Sequence, residues 1–238
     1  MTKRGMTMNR FIEKVKRIPA WGWASGIGLF ALQYGLYRFA NWLSVRIGTA
    51  EHAYECKIPA IDDRIPVISV FVLPYIYSYF FWITSPAAAS LTKKRNYVNY
   101  ICGLLTTYAI GTLIFIFAPT YMDRTKEGLI AYARRPGLMN RLLGIVYAAD
   151  GSERAFNLFP SFHCIISMYC WLAVRKQPEI SRGYQRYSLA MAVLICLSTL
   201  YTKQHYIIDS VGGIGISLGT YALMNVLDPG RRMEEKKK

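Results

Sequence analysis

Histidine and acidic residues are scarce in this chain: three of the former and 14 Asp and Glu stand against 29 Lys and Arg in 238 residues. The five cysteines occur singly, which argues against both a disulfide framework and a metal cluster. Four of them, Cys102, Cys164, Cys170 and Cys196, fall inside apolar runs, and Cys56 stands alone in a more polar stretch. A glycine-rich nucleotide loop, an internal repeat and a low-complexity tract are all missing, so neither a P-loop enzyme nor a repeat array is expected. No metal and no cofactor is expected.

What the chain has is apolar length. Trp21 to Leu43, Val67 to Thr84, Val98 to Ala118 and Tyr206 to Leu227 are predominantly apolar over about 18 to 23 positions, near the ~20 residues that cross ~30 Å of hydrocarbon as a helix. Four soluble core helices of that length, apolar on every face, would be very unusual. Phe159 to Val174 and Tyr187 to Thr202 are shorter and are counted as spans because six crossings put the charged loops consistently on alternating sides. The expected fold is all-α, a polytopic membrane protein of six transmembrane helices forming one domain over residues 1–238.

Charge sets the orientation. Most of the basic residues lie in Lys3 to Arg17, Lys93 to Arg95, Arg175 to Arg186 and Arg231 to Lys238, the segments that six crossings put on one side. The positive-inside rule makes that side cytoplasmic, with both termini in. The net charge of +15 is thereby explained by topology and an anionic leaflet, and nucleic acid is not needed as a partner. Residues 1–18 form a basic cytoplasmic segment, 119–157 an outer loop and 228–238 a basic cytoplasmic tail. Met1 to Ile18 is polar and basic, unlike a cleavable signal, and Arg10 to Arg17 suits either a surface helix or an unstructured tail. Pro74 and Pro86 are tolerable in or beside spans, the first as a kink. Trp21, Trp23, Trp82 and Tyr97 fit an interfacial aromatic belt.

Two of the histidines open apolar runs, in Phe159-Pro-Ser-Phe-His163 and His205-Tyr-Ile-Ile-Asp209. On a helix, Asp209 shares a face with His205 and can fix the tautomer and orientation of its ring. Helix starts at Pro160 and His205 would offer unpaired amides and a positive dipole end to an oxyanion. Ser161 is either a phosphate-binding hydroxyl or an N-cap. On the six-span topology both histidines and the loop bearing Arg124 meet the same outer surface, and ionisable groups in spans are functional candidates.

These residues resemble the type-2 phosphatidic acid phosphatase superfamily of membrane lipid phosphatases and phosphotransferases. Pro160-Ser161-Phe162-His163 is similar to its Pro-Ser-Gly-His motif, and Ser198 to Asp209 to its Ser-Arg-x5-His-x3-Asp motif. Ile58-Pro-Ala-Ile-Asp-Asp-Arg-Ile-Pro66 is a weaker likeness to the branch near inositol phosphorylceramide and sphingomyelin synthases. The resemblance implies that His205 attacks phosphorus to form a phosphohistidine, oriented by Asp209. His163 then serves as acid toward the leaving alcohol and base toward water or another acceptor, with no metal needed.

The departures concern the cations. The first motif, Lys-x6-Arg-Pro, has no intact copy: Arg124 is followed by Thr125 and preceded by Phe117 at the lysine position, whereas Arg135-Pro136 has Gly128 there. Arg124 is the preferred phosphate ligand, Arg135 the alternative. Thr199 replaces the third-motif arginine, and Lys203 could restore part of its charge but not its bidentate grip. Phe162 in place of glycine suggests a more apolar site. The expected function is hydrolysis of a lipid phosphate monoester or pyrophosphate at the extracytoplasmic face of the plasma membrane. The alternatives are transfer of a phospho-headgroup to a lipid or alcohol acceptor, and a non-catalytic membrane binding or transport protein.

Overall fold

The structure, a computed structural model, describes residues 13, 15–151 and 153–235. The surface-helix reading of Arg10 to Arg17 falls largely outside them, as does the end of the basic tail at 236–238. In chain order the helices are α1 (Ala20–Arg46), a single turn α2 (Pro59–Asp62), α3 (Val72–Ala89), α4 (Lys94–Phe117), α5 (Leu129–Ala133) and α6 (Leu138–Ala149). They continue with α7 (Phe162–Val174), α8 (Arg182–Tyr201), α9 (Ile207–Leu227) and α10 (Pro229–Glu235). All six apolar runs are helical, and two segments, Lys94–Phe117 and Ile207–Glu235, are long and apolar enough to cross a membrane. α7 has 13 residues, which at 1.5 Å per residue spans about 20 Å, less than the ~30 Å of a hydrocarbon layer.

α7 is the central element. It is apolar all round, with 11 residues buried, and it touches α3, α4, α8 and α9. A helix polar on one face could not occupy that place without burying unpaired groups. Around it, the outer helices are turned inside out relative to a soluble bundle. Trp42, Phe80, Leu113, Val193 and Val226 are exposed, while Ser78, Thr107, Ser198, Ser217 and Thr220 are buried. These hydroxyls return their hydrogen bonds to carbonyls three or four residues back in their own helices, so burial leaves them satisfied. Small hydroxyl residues inside and large apolar ones outside are what packing against lipid favours.

Three readings of local structure are corrected. The proline of Phe159-Pro160 is not the first helical residue: the Phe159-Pro160 bond is cis and α7 starts at Phe162, after the N-cap Ser161. His205 likewise precedes its helix, because Tyr206 is the N-cap of α9 and His205 ends the turn that follows α8. Pro74 lies in the first turn of α3, where no intrahelical donor is lost, so it needs no kink.

Residues 119–157 are a folded cap rather than an open loop, and they add a β element to the all-α expectation. β1 (Tyr121–Asp123) pairs antiparallel with β2 (Arg154–Phe156), with Met122 opposite Ala155. Those two inward residues are buried with Leu129, Leu143 and Tyr147 in a core of the cap's own, which also receives Val72 and Tyr206 from the bundle. Three-residue strands are too short for alternation to be read from sequence.

Among the described residues, the basic clusters at Lys93 to Arg95, Arg175 to Arg186 and Arg231 to Arg232 gather at the end of the bundle away from the cap. Gln177 in the α7–α8 connection donates to Asn96 at the start of α4. Arg95 pairs with Asp228 at the α9–α10 junction, and Asn99 donates to the same carboxylate.

Close approach of α1 to α3 depends on Gly26, where a Cβ would collide with the carbonyl of Ile83, whereas Gly28 faces open space. Gly26→Ala is therefore expected to destabilise the protein by about 1–3 kcal/mol. Gly28→Ala should be neutral or stabilising by up to about 1 kcal/mol. Thermal unfolding of the two variants in detergent checks the contrast.

Candidate active site

The two histidine segments are joined through their backbones. Ser161 N–H donates to the carbonyl of Asp209 at 3.0 Å. The start of α9 can lie this close because its second turn carries Gly212 and Gly213: a Cβ on the former would strike the Phe159 ring, and one on the latter would sit 2.6 Å from the Ser161 carbonyl. His163 and His205 consequently face one another with ring centroids 6.0 Å apart, and both line one cavity of about 460 Å³.

His205 is held from behind. Its N–H donates to the Thr199 carbonyl at 3.2 Å, as does that of Gln204 at 2.9 Å. The threonine that replaces the expected arginine thus shapes the turn and is not on the cavity wall. Asp209 is fully buried, and its Oδ2 accepts the Tyr206 N–H at 2.8 Å as a helix cap. The same oxygen lies 3.6 Å from His205 Nδ1, near but beyond hydrogen-bond length. The expected pairing on one helix face becomes contact across the helix start, with Nδ1 turned to the carboxylate. Nδ1 and Asp209 Oδ1 are both buried without a partner.

His163 sits against an aromatic wall. Tyr75 stacks on its ring at 4.3 Å, Trp82 lies at 4.9 Å and Tyr79 meets it edge-on at 5.9 Å. These three recur at helical spacing on α3, one stripe facing the site. Trp82, read as part of an interfacial belt, is instead buried, its Nε1–H donating to Ser167 Oγ of α7 at 2.9 Å. Phe162 packs edge-on against Tyr108 and Phe115, filling the notch left by Gly111.

Oxyanion binding by bare helix ends is not what the fold provides. The Ile207 N–H of α9 goes to Asp62 Oδ1 at 2.9 Å, and Asp62 Oδ2 caps α2 through Ile58 N–H at 2.7 Å. Carboxylates therefore occupy the first amides of α9. Ser161 takes its capping role: its Oγ accepts from Cys164 N–H at 3.4 Å.

The cationic candidates separate clearly. Arg124 is completely buried and reaches toward the site, donating to Asp150 Oδ2 at 2.7 Å and Gln204 Oε1 at 3.0 Å over the face of Tyr147. Arg135 is exposed and stacks on Tyr132 within the cap. Lys203 turns its Nζ to the Asp62 carbonyl at 2.6 Å, and burial lowers its pKa, so it is not on the cavity wall. No Lys or Arg is among the cavity-lining residues. Gln33, Asp150, Asn157 and Gln204, none of them a predicted site residue, do line it. Asp150 also accepts from Tyr37 OH at 3.0 Å, and the Gln204 Nε2 amide is buried with no partner. Gln204 adjoins a motif histidine and was accessible on that ground; Asp150 has no local signal. Among the described residues no three His, Cys, Asp or Glu side chains are grouped to hold a metal.

A histidine in the first turn of α7 and one in the turn before α9, facing one largely apolar cavity, form a site suited to phosphate-ester chemistry on a lipid. A family model of the PAP2 superfamily matches residues 63–223, and the chain belongs to that superfamily. Membership carries phosphatase-type lipid chemistry and a membrane-associated role. No curated protein and no solved structure matches the chain.

Arg124→Gln should lower both stability and turnover, because it removes one half of a buried pair and takes the arginine donor from Asp150 Oδ2 and Gln204 Oε1. The stability loss should be about 1–3 kcal/mol, below the 3–5 typical of fully buried pairs because Asp150 is partly exposed. Arg135→Gln should change neither. Melting temperature and product formation, measured on both variants, check the assignment.

Proposed function

We propose that this protein is a metal-independent lipid phosphatase working through a phosphohistidine. The observation that carries this is the meeting of His163 and His205 at 6.0 Å in one cavity. With Nδ1 directed at Asp209, His205 Nε2 is the nitrogen that attacks phosphorus. As the N–P bond forms, the P–O bond to the lipid alcohol breaks and His163 donates a proton to the departing oxygen. Water then gives its proton to His163 and attacks phosphorus, releasing phosphate and free His205. Each transfer uses one positioned imidazole, worth about 10²- to 10⁴-fold in rate.

Negative charge on the transferring group is met indirectly. Arg124 polarises the Gln204 amide, whose free Nε2–H lies at the cavity wall beside His205. We assign Gln204 as a donor to a phosphoryl oxygen, and Arg124 as its positioning residue. Ser161, Lys203 and Arg135 have no such placement.

Embedding by six crossings is supported by the inverted distribution of apolar and hydroxyl side chains. The positive clusters at the end away from the cap favour that end as cytoplasmic, with the histidines and cap outside. A relay through the bilayer would need ionisable groups along its depth, and the histidines and Asp209 cluster at one end.

A second reading, headgroup transfer, is favoured by the absence of Lys and Arg from the cavity wall. A phosphodiester carries less charge than a monoester, and aromatic walls limit water. Both readings share the first half-reaction and differ in the acceptor.

Purified protein incubated with lipid phosphates and phosphodiesters, with products identified by mass spectrometry, separates them. Phosphate release with a dephosphorylated lipid supports hydrolysis, and a new headgroup-bearing lipid supports transfer. His205→Ala should abolish either product, His163→Ala should reduce it by about 10²- to 10⁴-fold, and Asp209→Asn should slow it, with all three variants still folded. Chelators should leave the rate unchanged. Normal turnover by His205→Ala would refute the mechanism.

A further inference from the structure

A second concavity lies apart from the histidine site. A hollow of about 620 Å³ lies at the opposite ends of α7 and α8 from the two imidazoles, walled by Trp171, Arg175, Lys176, Arg182, Arg186 and Leu189. Four cations thus face one space. Among the described residues none of the four makes an ion pair with a carboxylate. The nearest acid in sequence, Glu179, is exposed on the connecting loop and is not part of the wall.

The loop forming the floor is built, not loose. Gln185 ties it with three hydrogen bonds: Nε2–H to the carbonyls of Gln177 and Ile180, both at 2.9 Å, and Oε1 from the Lys176 N–H at 2.9 Å. Gln177 is fixed in turn by Asn96 Oδ1 at 3.0 Å. Lys176 adopts a left-handed conformation, φ 58°, which turns the chain sharply after α7. Arg175 lies over the Trp171 ring at 4.8 Å, so its guanidinium is oriented by an aromatic face and remains without an anionic partner. Positive-inside topology requires only that basic residues be present. It does not require their loop to be held open around a hollow.

Like charges brought together at a cost find compensation in a shared anion, and the wall also offers apolar surface in Trp171 and Leu189. We infer that this hollow is a binding site for the phosphate of an anionic phospholipid in the leaflet opposite the histidine pair. The inference rests on the membrane embedding proposed above and not on the chemistry of the histidines. A basic pocket among membrane helices on the cytoplasmic side suits such a headgroup, each cation adding to the attraction. Bound lipid would bridge α7 and α8 and brace the pair of helices whose far ends shape the site.

Native mass spectrometry of the full-length protein in detergent, titrated with phosphatidylglycerol or phosphatidylcholine, tests this. Retention of phosphatidylglycerol over phosphatidylcholine is expected. Arg182→Gln/Arg186→Gln, which touches neither the Trp171 stack nor the Gln185 ties, should weaken retention by roughly tenfold or more. His205→Ala should retain it fully, so failure of the catalytic reading and failure of this one give different results. Equal retention by the double variant and the unaltered protein would overturn the inference, as would equal retention of the two lipids. Inorganic phosphate at matching concentration should not displace the lipid; displacement would identify a free anion as the occupant and overturn the lipid assignment.

Discussion

The hydrogen bond from Ser161 N–H to the Asp209 carbonyl, 3.0 Å long, ties two chain segments that come from different helices. Without it the imidazoles merely belong to neighbouring segments. With it, their separation is a property of the backbone. The bond exists because Gly212 and Gly213 have no side chains where Phe159 and Ser161 need room. Asp209 contributes twice, through its carbonyl to the α7 segment and through its carboxylate to the start of α9 and to His205. Site geometry and helix capping are therefore one network, and a change meant for one reaches the other.

Charge is arranged with similar economy. Asp62, Asp209, Asp150 and Arg124 are the ionic groups near the site, and each is engaged in a cap or a pair. Arg124 is paired with Asp150 and hydrogen-bonded to Gln204, and in the proposed mechanism it acts through that amide. This describes a site of low net charge walled by Tyr75, Tyr79 and Trp82. A singly charged ester would bind there at a lower cost in unmatched charge than a doubly charged one.

Much of this was legible from residue order. Apolar length located the helices, and the two His-bearing segments, singled out by local composition and short spacing, do meet at one cavity. Of the two candidate arginines, Arg124 is buried behind Gln204 and Arg135 is stacked on Tyr132 at the surface, and neither is on the cavity wall. What could not be read depended on contacts between distant segments. Asp62 reaches Ile207 across 145 positions, and no local pattern announces that a carboxylate will fill the end of another helix. Trp82 looked like an interfacial anchor because span ends usually carry such residues, whereas its indole donates inward to Ser167. The cap over 119–157 was hidden because its strands have three residues each. Lys203 seemed a replacement cation by proximity to His205, but a left-handed turn at φ 50° sends its side chain the other way.

The central claim is that His205 becomes covalently phosphorylated in the cavity it shares with His163. The most direct measurement is to mix the purified protein with a lipid substrate radiolabelled at phosphorus, quench within one turnover, digest, and locate the label by mass spectrometry. The expected result is an acid-labile, base-stable phosphoryl group on His205. Turnover without label on the protein, or label on any other residue, would contradict it.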